Sequence, residues 1–146
     1  LGGTDNVGLG FWTAMPFALG TYRTERGIFK NYPLLATGGL FYEIHSNQQD
    51  RDFRPGDSFT FEWNIGLELA ERTAAGLSGF FYRQVTDATG ADARPVDKYR
   101  SDGIGLTLTQ GIGSVNVNLR GYRDFNVRNG PEGTLVYLDI AWGWPR

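Results

Sequence analysis

The sequence predicts an all-β fold, an antiparallel transmembrane β-barrel, and three observations carry that expectation. Residues 58–69 alternate without exception, with Phe59, Phe61, Trp63, Ile65, Leu67 and Leu69 at odd positions and Ser58, Thr60, Glu62, Asn64, Gly66 and Glu68 at even ones. Strict period two marks a strand whose faces meet different surroundings, because successive side chains leave a pleated backbone on opposite sides. The strands so marked run about 11 to 16 residues, against five or six in soluble sheets and about 9 to 11 for a tilted strand crossing hydrocarbon. The connections also alternate short and long along the chain, as between the two ends of an outer-membrane barrel.

Taken in order, Val7, Leu9, Phe11, Met15, Phe17 and Leu19 share one parity of a first strand, with Thr13 the exception. Weaker alternation covers 34–45, 75–84 and 104–109. From Val115, the residues Val117 and Leu119 alternate with Asn116, Asn118 and Arg120, and Tyr122, Asp124 and Asn126 continue the polar face. The last strand sets Val136, Leu138, Ile140, Trp142 and Trp144 against Leu135, Tyr137, Asp139, Ala141 and Gly143. Short turns fall at 71–73 and 111–114. Longer connections rich in Gly, Pro, Asp and Asn fall at 47–56, 87–100 and 128–133, and the 22–33 connection is the misfit, since its place calls for a short turn. Aromatic residues near strand ends (Tyr42, Phe59, Phe81, Phe125, Trp142, Trp144) suit interfacial girdles.

Composition agrees. The 146 residues hold 21 Gly, 4 Trp, 7 Tyr and 10 Phe and no Cys, which excludes a disulfide-stapled module. Apolar residues at 40% and a net charge of -2 exclude disorder. With 14 basic against 16 acidic residues there is no basic field for nucleic acid, so none is expected as a partner. No apolar run reaches the roughly 18 residues of a membrane-spanning helix, which leaves a barrel open because a barrel hides its apolar signal in alternation.

Seven strands is an odd number, whereas single-chain bacterial barrels have an even one with both termini inside. Residues 1–146 are therefore expected to form one β-barrel domain, the C-terminal portion of a larger barrel of about twelve strands. The alternative is that Pro16, which cannot donate to a ladder, splits the first stretch and makes eight.

The polar parity carries charge at mid-strand, which suits a hydrated lumen. Lumen-lining candidates are Glu43, His45, Glu62, Glu68, Tyr82, Gln84, Arg120, Tyr122, Asp124, Tyr137 and Asp139. Lipid-facing candidates are Phe59, Phe61, Trp63, Ile65, Leu67, Val117, Leu119, Leu138, Ile140 and Trp142. Uncompensated carboxylates in such a lumen would disfavour anions and leave neutral aromatics to stack on Tyr82, Tyr122 and Tyr137. The competing expectation is an interior salt-bridge network that only fills the barrel. A soluble β-sandwich or lipocalin-like binder reads the same polar residues as its solvent face.

At Gly79-Phe80-Phe81-Tyr82-Arg83-Gln84-Val85-Thr86-Asp87 the chain resembles the outer-membrane protein family of the meta-pathway of phenol degradation. Phe53-Arg54-Pro55-Gly56-Asp57 is similar to the family's Tyr-x-x-Gly-Asp element, with Phe for Tyr. Asn118-Leu119-Arg120-Gly121-Tyr122-Arg123-Asp124-Phe125 is similar to its penultimate strand, with Asp124 where Glu is usual, and leads into Asn129-Gly130-Pro131-Glu132-Gly133. The resemblance spans nearly the whole chain and about the C-terminal half of a family member. It implies a channel in the outer membrane of a Gram-negative bacterium for passive uptake of small hydrophobic or aromatic compounds. The expected partners are outer-membrane lipid, the permeant and the barrel-assembly machinery. A filled structural or surface-recognition barrel is the alternative.

Enzymatic chemistry finds little support. His45 and Ser46 are adjacent on a strand and point to opposite faces, so with one His and no Cys no catalytic set is expected. The acids at 49–52 and 87–92 lack an EF-hand's ligand spacing, and solvated loops rather than a metal site are expected. Gly8-Leu9-Gly10 and Gly103-Ile104-Gly105 lack the strand-to-helix context of a phosphate loop, so no cofactor is expected.

Overall fold

A computed structural model describes residues 10–24, 31–93 and 98–142. The expected strand positions Val7, Leu9 and Trp144 lie outside the described residues, as does Pro95 of the 87–100 connection. The described residues form β1 (Thr13–Ala14), β2 (Phe17–Arg23), β3 (Leu34–His45), β4 (Ser58–Ala70), β5 (Thr73–Gln84), β6 (Arg100–Ile112), β7 (Val115–Arg128) and β8 (Thr134–Trp142), with no helix among them. All pairings are antiparallel, each strand from β3 to β8 laddering with the next in sequence.

Pro16 interrupts the first strand without adding a stave. Both β1 and β2 pair with β3, Thr13 opposite His45 and Phe17 opposite Phe41, with no slip of register between them. Tyr42 still donates to the Pro16 carbonyl at 3.0 Å, but proline has no N–H to return the bond, so the ladder breaks only there. Eight strand segments thus make seven staves, curled into a half-barrel. β2 is shorter than expected, at 7 residues, and β8 has 9 among the described residues, running to the last of them. β6 is longer than the 104–109 alternation, and its first residue, Arg100, had been assigned to the preceding loop.

The curl is visible in what meets across the sheet. Arg120 on β7 approaches Glu62 on β4 to 3.5 Å, although two strands separate them and a flat sheet would hold their backbones about 14 Å apart. Small residues permit this curvature on the inner side. A Cβ on Gly103 would collide with the Phe80 ring opposite, so glycine there lets the aromatic lie across the neighbouring strand.

The ends of the half-barrel differ. At one end Glu71 and Arg72 close β4 onto β5, and Gly113 and Ser114 close β6 onto β7; Arg72 donates to the Gly113 carbonyl and ties the two turns together. Gly113 has φ +57 at the first central position, the demand of a II′ hairpin turn. The 22–33 misfit lies at this same end, where Thr24 N–H donates to Leu34 O at 3.0 Å and Glu68 N–H to Pro33 O at 2.9 Å. The opposite end carries the long connections, and these are locked to one another. Asp57 N–H donates to Thr86 Oγ1 at 2.7 Å, while Arg54 donates to the Asp57 carboxylate at 3.0 Å and to the His45 carbonyl at 2.8 Å. Asp52 accepts from Ala91 N–H at 2.9 Å and Asp92 from Asp52 N–H at 3.2 Å, so these acids cap each other's backbone.

Burial reverses the pattern of a water-soluble domain. Among the described residues Tyr122, 5% exposed, is the one buried large hydrophobic, whereas Leu106 is 68% and Val136 71% exposed. The apolar parity of β4 to β8 lies outward on the convex face. Matched rows run Ile65, Leu77, Leu106 with Val136 and Leu67, Ala75, Leu108, Leu119 with Leu138. On β2 the apolar parity instead meets the concave face, Phe17 stacking on Phe41 at 6.1 Å.

Candidate functional site

The period-two register decides which residues can form a site. Opposed residues of an antiparallel ladder share a face, so the pairs Glu43 with Ser58, Glu62 with Phe80, Tyr82 with Ser101, and Arg120 with Tyr137 fix the concave surface. All eleven lumen-lining candidates fall on this face by register. The ten lipid-facing candidates, Phe59, Phe61, Trp63, Ile65, Leu67, Val117, Leu119, Leu138, Ile140 and Trp142, fall on the other.

At the centre, Arg120 is the hub. Its guanidinium donates to Asp139 from Nε at 3.1 Å and Nη2 at 2.9 Å, reaches Glu62 from Nη1 at 3.5 Å, and lies 5.5 Å from the Tyr137 ring centroid. This fork satisfies two carboxylates that face each other over the curled sheet, a geometry for which guanidinium suits better than ammonium. Glu68 sits apart, near the short turns, and accepts from Arg23 at 3.0 Å through Nε and 2.5 Å through Nη2. Glu43 accepts from Ser58 Oγ. The expectation of uncompensated carboxylates is therefore corrected for Glu62, Glu68 and Asp139, each of which has an arginine. The alternation showed which acids share a face; Asp139 lies diagonal to Arg120 on the adjacent strand, whereas only curvature brings Arg120 to Glu62.

Beside the hub lies a cavity of about 280 Å3 whose wall is mostly aromatic. Tyr122 meets Phe80 edge-on at 5.6 Å and Tyr137 at 5.9 Å, and Tyr82 lies against Tyr99 at 5.2 Å. Thr60, Glu62, Ser101, Arg120, Asp124 and Leu135 complete the lining. Of the sequence candidates this brings together Glu62, Tyr82, Arg120, Tyr122, Asp124 and Tyr137, with Asp139 just behind Arg120. Glu43, His45 and Gln84 line a wider opening of about 850 Å3 beneath the long connections. There His45 Nδ1 and Thr13 Oγ1 are hydrogen-bonded at 2.9 Å, while Ser46 Oγ accepts from Trp12 N–H at 3.0 Å, so His45 and Ser46 serve different partners.

Phe80, Tyr99 and Ser101 were missed. Phe80 shares parity with Tyr82 and Gln84, so its place was legible in the sequence. Tyr99 stands inside what reads as a polar loop, and Ser101 in a stretch with no apolar alternation; neither gave a signal. No group of three or more potential metal ligands occurs among the described residues.

The arrangement defines a class, an antiparallel half-barrel with an apolar outer face and a polar, aromatic-lined inner one. The family described as "Putative MetA-pathway of phenol degradation" matches residues 1–140, and the chain belongs to it. Of the segments that carried the resemblance, 53–57 meets 79–87 at the long-loop end, and Asp124 N–H donates to the Gly133 carbonyl at 3.0 Å, joining the other two. Gly56 packs so closely on the Thr86 carbonyl that a Cβ would collide with it, and Gly130 packs likewise on the Tyr99 ring. No curated protein and no solved structure matches the chain.

Proposed function

We propose that the protein is part of an outer-membrane channel for passive uptake of small hydrophobic or aromatic compounds. One observation carries the reading, namely the reversal of burial. From β4 to β8 large aliphatic side chains cover the convex face in matched rows, while ion pairs and aromatic rings, with Phe17 and Leu19 of β2, cover the concave one. In water an exposed apolar surface of that extent would drive association, whereas against lipid it is the favourable arrangement. Family membership supports an association with phenol degradation. β1, β2 and β8 have one ladder partner each among the described residues. In hydrocarbon such edges must be paired, so closure by further staves, to about twelve, belongs to the proposal.

On this reading the protein resides in the outer membrane of a Gram-negative bacterium. It is inserted by the barrel-assembly machinery and catalyses no reaction. A second reading, a barrel filled by its own side chains, draws on the Arg120 hub that spans the concave face. The test is the passage of a small neutral solute through liposomes carrying the folded protein. Passage supports a channel, and a folded, inserted but impermeable protein supports the filled barrel.

A further inference from the structure

We propose that the outward row of Arg83, Arg100 and Arg128, with the apolar groove beneath it, is a binding site for a membrane lipid with a phosphate-monoester headgroup, the phosphate on the arginines and an acyl chain in the groove. The proposal rests on reading the convex face as lipid-facing, and adds to it a location and a headgroup.

Like charges directly opposed in a ladder are destabilising, yet guanidiniums stand side by side here. Arg83 lies opposite the outward Phe59 on one side and Arg100 on the other, and Arg100 lies opposite Arg128. One carboxylate serves the row. Asp102, 4% exposed, is ion-paired with Arg83 and accepts from Asn126 at 2.6 Å, and Asn126 in turn accepts from Arg100 at 2.9 Å. The exposed Arg128 has no ion pair or side-chain hydrogen bond among the described residues. Other acids at this end are taken, Glu132 by Arg123 at 3.2 Å, Asp87 by Lys98 at 3.8 Å and Asp57 by Arg54 at 3.0 Å. The row keeps an excess of positive charge on the convex side.

Opposed Cα atoms of a ladder are about 4.5 to 5.5 Å apart, so the oxygens of one phosphate can accept from neighbouring guanidiniums together, and arginine's fork suits phosphate. Down the strands from the row, the outward positions as far as Ala75, Leu108 and Leu119 hold apolar residues and glycine, apart from Asp102 and Arg123. An apolar groove of about 670 Å3 opens among Leu77, Leu106, Leu119 and Val136, where Gly121 leaves room, since a Cβ on it would meet nothing within 4 Å. Leu106 follows Arg100 by six residues on β6, a descent of about 16 Å at about 2.6 Å per residue, against about 15 Å for the hydrocarbon of one leaflet. With the arginines at headgroup height, the groove lies at the depth of the acyl chains. A water-soluble phosphate could use the row alone, whereas a lipid uses both.

Lipid binding to the complete barrel, this chain together with the staves that close it, tests this by native mass spectrometry from maltoside micelles doped with dipalmitoyl phosphatidic acid, phosphatidylglycerol or phosphatidylcholine. Phosphatidic acid should bind about fivefold more tightly than phosphatidylglycerol and at least about tenfold more tightly than phosphatidylcholine, because its monoester carries the most charge to the row. Equal binding of the three would overturn the proposal, and so would equal binding of the two anionic lipids, which is what interfacial arginines with no built site would give. Arg100→Gln with Arg128→Gln should abolish the preference, and an unchanged preference in the folded double variant overturns the proposal. Should that variant not fold, Arg128→Gln alone decides. It breaks no side-chain contact among the described residues and should narrow the preference about threefold, whereas no change overturns the proposal. Gly121→Leu fills the groove and should weaken phosphatidic acid about threefold, and an unchanged affinity would overturn the proposal. Inorganic phosphate in about tenfold excess should leave the lipid bound, since it lacks the chain that the groove takes, and displacement would show a free-phosphate site instead. Insertion into phosphatidylcholine vesicles is read separately. Insertion without headgroup preference removes the site and leaves the membrane reading, whereas selective binding in micelles without insertion removes the membrane reading and leaves the site.

Discussion

Replacing Ile65 with Arg probes whether the convex face meets lipid. Ile65 is 50% exposed and lies in the row with Leu77, Leu106 and Val136, five residues before the end of β4 at Ala70. A strand rising about 3.4 Å per residue and tilted about 40° climbs about 2.6 Å per residue, which puts Ile65 about 13 Å above the short-turn end, near the middle of an apolar band about 25 Å tall. An arginine there should cost about 2 to 4 kcal/mol of folding into lipid. Ile112, the last residue of β6 beside the Gly113 turn, is 63% exposed and on the proposed membrane reading lies at the interface, where the same replacement should cost about 0 to 1 kcal/mol. Folding into lipid vesicles across a urea series measures both. Two variants that both fold like the wild type would show that depth has no meaning on this face, and the membrane reading would fall.

Three further outcomes follow from the same geometry. Arg120→Met removes both ion pairs of the hub; because Glu62 and Asp139 are each nearly half exposed, screening holds the loss to about 1 to 2 kcal/mol, read as a lower urea midpoint, and an unchanged midpoint would mean the hub is ornamental. Gly56→Val should set the Phe53 to Asp57 segment against the Thr86 carbonyl and cost about 1 to 3 kcal/mol, seen as faster proteolysis of the long connections while the strands persist. Protease added to intact cells should cut first within residues 85–99; cutting seen only after the outer membrane is opened would reverse the orientation.

The parts of the fold legible in the sequence are those where two surroundings impose opposite demands on neighbouring side chains. β4 is such a case, since every odd residue from Phe59 to Leu67 faces outward. β6 was half hidden, because Gly103 makes room for the Phe80 ring and Gly105 for the Gly121 backbone of the next strand, and these small residues carry no alternation. β2 pairs on one side, and Phe17 and Leu19 point their apolar parity inward, where periodicity alone gives no direction. Faces were readable for Glu62, Arg120 and Asp139; the Arg120–Asp139 pair follows from the register of adjacent strands, whereas the Arg120–Glu62 pair depends on curvature.

The most direct test of the channel itself is conductance across a planar bilayer by the complete barrel, this chain together with the staves that close it, with insertion established independently by heat-modifiable mobility of the same preparation. A channel predicts discrete conductance steps from folded protein and none from heat-unfolded protein. Folded, inserted protein that leaves the bilayer electrically silent would contradict the account.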